Sequence, residues 1–113
     1  MHEASIMQSL LEVAVDHLQK AGCTQIHTLR LRVGLLSGVM PEALEFAFDS
    51  LKTGTPAQTA TLVIERIPAL LSCPECRLKT QVDSMQFICP NCHGLMAVQE
   101  GGKELQLAEM DIS

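Results

Sequence analysis

A chain of 113 residues has room for one buried core and a small satellite, and excludes two large domains. Hydrophobic residues make up 47% and charged residues 19%, the balance of a folded globular protein and not of a disordered or membrane-embedded one. Thirteen acidic against eight basic residues leave a formal charge of −5, which opposes the phosphate neutralisation on which nucleic-acid affinity first depends.

The start of the chain lacks signal-peptide character. Met1-His2-Glu3 is not a basic opening, and Glu12 and Asp16 interrupt the apolar residues that follow. A cytoplasmic location without membrane insertion is expected. In that reducing compartment five cysteines do not make a disulfide framework, and an odd number would leave one over. Metal ligation accounts better for most of them.

In chain order, Ser5 and Gln8 have the spacing of a capping box, and Ile6, Leu10, Ala14 and Leu18 recur on one face up to Gly22, which predicts an amphipathic helix. Alternation from Ile26 to Val33, with Leu29, Leu31 and Val33 on one face, predicts a half-buried strand. Pro41 suits a first helical position, and Ala43, Leu44, Ala47, Phe48 and Leu51 form a second apolar stripe that ends before Gly54. Thr61 to Ile67 reads as another strand, which Pro68 limits. After the cysteines, Gly101-Gly102 signals a turn and Lys103 to Ile112 returns to β character. A terminal strand needs a sheet, and the nearest is that of residues 26–67. The expected fold is α+β: two helices packed on a small, mostly antiparallel sheet, with an inserted zinc-ribbon module. Its domains are residues 1–69 completed by 98–113, and a ribbon over 70–97. No repeats or low-complexity tracts are evident.

The ribbon rests on Cys73-Pro74-Glu75-Cys76 and Cys89-Pro90-Asn91-Cys92, two Cys-x-x-Cys turns with twelve residues between them. Each turn brings two sulfurs to about 2.3 Å from one ion, and two turns close a tetrahedral zinc shell with no position left for catalytic water. From Gln81 to Ile88 the large apolar residues are few, chiefly Val82, Met85, Phe87 and Ile88, too few to fold a module alone, so metal must supply stability. A single thioredoxin-like redox pair would need one such turn and not two. His93 reads as a turn residue before Gly94, with replacement of a thiolate as the alternative. Cys23, at the end of the first helix, reads as packing.

At the other end, the Met1 α-amine and the His2 peptide nitrogen would close a five-membered chelate ring, and the His2 imidazole an adjoining six-membered one. Such a planar nitrogen set favours Ni(II) or Cu(II) over zinc. An α-amine of pKa about 7.8 costs about 1 kcal/mol to deprotonate at neutrality, against about 4.6 for a lysine.

Met-His-Glu at the start and Cys-Pro-Asn-Cys-His-Gly at the second turn are similar to the hydrogenase nickel-incorporation proteins of the HypA/HybF family. Leu-Arg-Val-Gly-Leu-Leu-Ser-Gly-Val at 31–39, Phe-Ala-Phe-Asp at 46–49 and the run from Glu65 through Pro68-Ala69 to Cys73 extend the resemblance over nearly the whole chain. The resemblance implies a nickel metallochaperone and not an enzyme. Nickel would be held by Met1, His2 and Glu3, and structural Zn(II) by Cys73, Cys76, Cys89 and Cys92. Residues 1–69 with 98–113 would form the nickel domain. The implied partners are a GTPase of the HypB type, the large subunit of [NiFe]-hydrogenase and, in some organisms, urease accessory proteins. A nucleic-acid-binding or protein-interaction ribbon is the rival reading; the acidic balance and an aromatic fraction of 3%, with no Trp or Tyr to stack on bases, oppose the first.

Overall fold

A computed structural model describes residues 3–82 and 86–113. Met1, His2 and Met85, all used in the reading above, lie outside the described residues. The elements are α1 (Glu3–Lys20), β1 (Ile26–Gly34), α2 (Pro41–Leu51), β2 (Thr61–Ile67), β3 (Ala69–Ser72), β4 (Lys79–Val82), β5 (Ala97–Glu100) and β6 (Leu105–Ile112). Helices and small sheets make this an α+β fold. The chain divides into two compact units, one of residues 1–32, 39–65 and 106–113, the other of 33–38 and 66–105.

In the first unit α1 and α2 pack against each other. α1 buries Met7, Leu11, Ala14 and Leu18. The face thus differs from the stripe through Ile6 and Leu10, which are only half-buried. A uniform step of four residues drifts by roughly 40° each time on a helix of 3.6 residues per turn, whereas steps of four, three and four hold one side. Ser5 is also not a cap. The helix already begins at Glu3, and the Ser9 Oγ donates to the Ser5 carbonyl at 3.1 Å. Ser5→Ala is therefore expected to change stability by less than about 0.5 kcal/mol, where loss of a true cap costs about 1 kcal/mol. Urea denaturation distinguishes the two.

α2 starts on Pro41, as its fixed φ and missing N–H favour, and buries Leu44, Ala47 and Phe48. The sheet order is β2-β1-β6. β1 buries Leu29, Leu31 and Val33 by alternation, together with Ile26. Gln25 and Ser113 exchange backbone hydrogen bonds of 3.0 Å, and at the other end Gly34 N–H donates to Glu104 O at 2.7 Å, so β1 and β6 run antiparallel. At the C-terminal ends of β1 and β2, Leu35 N–H donates to Ile67 O at 2.9 Å, which makes that pair parallel, with α2 as the crossover between them.

In the second unit β3 lies between β4 and β5, antiparallel to both. Ala69, Leu71, Cys73, Cys89 and Met96 form its buried core, with Leu36, Leu78, Val82 and Phe87 packed around them. Ile88 faces solvent instead. The stretch read as one terminal segment over 98–113 is two strands. β5 pairs with β3, and a turn through Gly101 and Gly102, both at positive φ, precedes β6.

Candidate metal centre

The second unit brings the four cysteines of the two turns together. Their sulfurs all lie within 4.8 Å of one another. Cys73 Sγ is 3.4 Å from Cys92 Sγ, and Cys76 Sγ is 3.5 Å from Cys89 Sγ. Sulfurs at about 2.3 Å from a central zinc in a tetrahedron stand roughly 3.8 Å apart, so the two short pairs lie slightly inside that spacing and the whole cluster is of the size a zinc shell requires. Cys73 and Cys89 are buried and Cys92 is exposed, which places the cluster at the edge of the core.

Each turn is built the same way. Cys73 N–H donates to Leu78 O at 2.8 Å and Arg77 N–H to Cys73 O at 2.9 Å; sixteen residues on, Cys89 N–H donates to Gly94 O at 2.7 Å and His93 N–H to Cys89 O at 2.9 Å. Arg77 and His93 both take left-handed backbone, with φ of 65° and 64°. That conformation turns the chain so that the next N–H points back at a sulfur, Leu78 toward Cys76 and Gly94 toward Cys92. His93 therefore closes the turn by its backbone. A non-glycine residue accepts positive φ only at a cost of about 1–2 kcal/mol, which the hydrogen bonds of the turn offset. The two Cys-Pro-x-Cys turns read in the sequence, at a sixteen-residue offset, are the signal for this shared build; the left-handed residue that closes each turn carries no such signal.

The electrostatics of the four sulfurs are uneven. The Asn91 side chain, followed by the Leu78 N–H, lowers the Cys76 thiol to about 6. At Cys92 the Gly94 N–H favours the thiolate, but the hydrogen bond to Cys73, desolvation, and the hydrogen bonds to Cys76 and Cys89 outweigh it and raise the thiol to about 12. One thiolate forms readily and the last resists, because hydrogen bonds to the other sulfurs and desolvation keep the proton on Cys92. A bound dication would favour all four thiolates. Four soft donors in a tetrahedron fit Zn(II), whose filled d shell imposes no other geometry. Asn91, in the second turn, touches Cys76, in the first, a link that spacing alone does not reveal.

At the other expected site Glu3 is the first residue of α1, half-buried, with its carboxylate favourably placed at the positive end of the helix dipole. Met1 and His2 precede the described residues.

The family model described as hydrogenase/urease nickel incorporation, metallochaperone, hypA matches residues 1–112. The hydrogenase maturation factor HypA of Syntrophus aciditrophicus is 37% identical over 113 residues, 99% of each chain. That of Roseiflexus is 38% identical over 112 residues, 98% of this chain and 91% of the relative. The fold is similar to the solution structure of the Ni metallochaperone HypA from Helicobacter pylori, with a TM-score of 0.67 and 22% identity over 99% of this chain and 97% of that one. An α+β unit joined to a unit built on a four-cysteine cluster, with these relatives, defines a metallochaperone. The chain belongs to the HypA family of nickel metallochaperones, which act in hydrogenase maturation, and its cysteine cluster fits a structural zinc site. Among the described residues no helix is long and apolar enough to cross a membrane.

Proposed function

We propose that this chain binds Ni(II) as cargo through Met1, His2 and Glu3 and delivers it during maturation of [NiFe]-hydrogenase, with zinc on Cys73, Cys76, Cys89 and Cys92 holding the second unit in shape. The observation that carries this reading is the family match from residue 1, which takes in the Met-His-Glu run. The donors are the Met1 amine, the His2 peptide nitrogen and imidazole, and the Glu3 peptide nitrogen or carboxylate. Placement of Glu3 at the first position of α1 supports the set, since the first N–H groups of a helix have no intrahelical partner and can be given up to a metal. The first unit serves as the nickel domain and the second as the zinc domain. The chain works in the cytoplasm and catalyses no reaction. A HypB-type GTPase, the hydrogenase large subunit and, where present, urease accessory proteins are its partners.

Nickel titration of the native chain, His2→Ala and a chain extended before Met1 tests the site. His2→Ala and the extension are each expected to weaken nickel binding at least about a hundredfold, as loss of chelate rings does, with zinc content unchanged. Equal affinity in the extended chain would exclude the α-amine. Protons compete with nickel for the amine and for the imidazole, whose ordinary pKa values are about 7.8 and 6.5. Binding is therefore expected to weaken as pH falls from about 7.5 to about 5.5. A flat profile over that window would contradict the donor set.

A further inference from the structure

The first unit has a groove of about 490 Å³ along α1, beside the C-terminal end of α2. Leu11, Val15 and Leu51 supply its apolar surface, and Glu12 and Asp16 stand at its edge, both exposed. Its lining on α1 runs from Gln8 to Gln19, roughly 16 Å at 1.5 Å per residue, the length of a three-turn helix. Glu12 and Asp16 are one helical turn apart, so the spacing of their carboxylates, about 6 Å, matches that of two basic side chains on a facing helix.

The charge of the chain selects the occupant. The whole formal excess of five negative charges lies in the first unit, whereas the second holds four acidic and four basic residues. α1 and α2 together carry six carboxylates and one lysine, Lys20. Lys20 pairs with Asp16 at 2.9 Å, but both side chains are more than half exposed, so water screens the pair and an incoming cation can displace it. A second copy of the chain would bring acid to acid. We propose that this groove docks a basic amphipathic helix of a partner protein, its apolar side chains on Leu11, Val15 and Leu51 and its lysines or arginines on Glu12 and Asp16. The surface goes beyond the cargo reading and does not depend on nickel being bound.

The test uses the full zinc-loaded chain and a fluorescein-labelled lysine–leucine peptide of about 14 residues, designed as an amphipathic helix, followed by anisotropy. Saturable binding is expected, weakened about tenfold by Glu12→Lys with Asp16→Lys and about tenfold by Val15→Ser. The same charge change on the outer face of α2, Glu45→Lys with Asp49→Lys, is expected to shift it less than about twofold, because neither residue lines the groove. Circular dichroism confirms the fold of each variant, and the four charge positions are all exposed. Absence of binding, or equal losses from both double variants, overturns the proposal, the second by showing only general attraction to an acidic protein. Self-association of the chain that the groove variants abolish would assign the surface to a second copy and overturn it equally. Nickel affinity, measured alongside, is expected to stay unchanged in every variant, so failure of the docking surface and failure of the cargo reading are told apart.

Discussion

Cys89→Ala is expected to release the zinc and unfold the second unit, while the helical circular dichroism of α1 and α2 survives. Of the five residues that form the buried core of this unit, two are the ligands Cys73 and Cys89, and only Leu71 and Met96 are large apolar side chains. Burying each of those contributes about 1.5–3 kcal/mol, far short of the chain entropy of a unit this size. A structural zinc contributes about 10–16 kcal/mol when its thiolates form, so a zinc held here would carry most of the unit's folding free energy. Cys89 is fully buried, and its loss removes a ligand and opens a cavity at once. The measurements are zinc content and amide exchange at Leu71, whose strand lies at the centre of the second sheet. Retained protection at Leu71 in the zinc-free variant would show that the sheet folds without metal.

The second large effect is expected at Gly34. A Cβ there would press into the backbone carbonyl of Gly102 and come within 2.7 Å of the Glu104 nitrogen. These are main-chain atoms, held by the bond from Gly34 N–H to Glu104 O and by the bond from Leu36 N–H to Gly102 O, so no rotamer change relieves the clash. Gly102 has a reason of its own to be glycine: its φ is +87° and an added Cβ would lie 3.0 Å from that of Ala69. Gly34→Ala is expected to destabilise by about 3 kcal/mol or more, at or beyond the upper end for overpacking. Gly38→Ala provides the comparison. Its φ is +79° but nothing lies within 4 Å of the added carbon, so only the strain of left-handed backbone remains, about 1–2 kcal/mol. Denaturant midpoints of the two variants rank the effects; similar shifts would mean that the backbone at 102–104 moves aside.

Much of the architecture was legible because its signals are local. β2 occupies Thr61–Ile67, and α2 begins on Pro41 and buries Leu44, Ala47 and Phe48 out of its apolar stripe. Alternation placed Leu29, Leu31 and Val33 in the core. The misreadings are also physical. The buried face of α1 was taken through Ile6 and Leu10 because several apolar residues crowd its first turns, and which of them face inward is settled by what packs there. All of 98–113 reads as completing the first domain because a pair of glycines signals a turn without saying which sheet lies on either side. Only pairing with β3 shows that Ala97–Glu100 belongs to the second unit.

By itself the sequence determined the cysteine chemistry, because a Cys-x-x-Cys turn fixes its two sulfurs within four residues and the only long-range requirement is that two such turns meet. It likewise carries the Met-His-Glu run on which the proposed nickel chelate rests. The tertiary structure decided what no short window contains: Asn91 beside Cys76, Gly34 against the backbone at 102–104, the return of β6 to β1, and an acid-edged groove on α1. Each joins residues distant along the chain or sets which side of an element faces inward. Those outcomes follow from packing and hydrogen-bond partners in three dimensions, and residue order leaves them open.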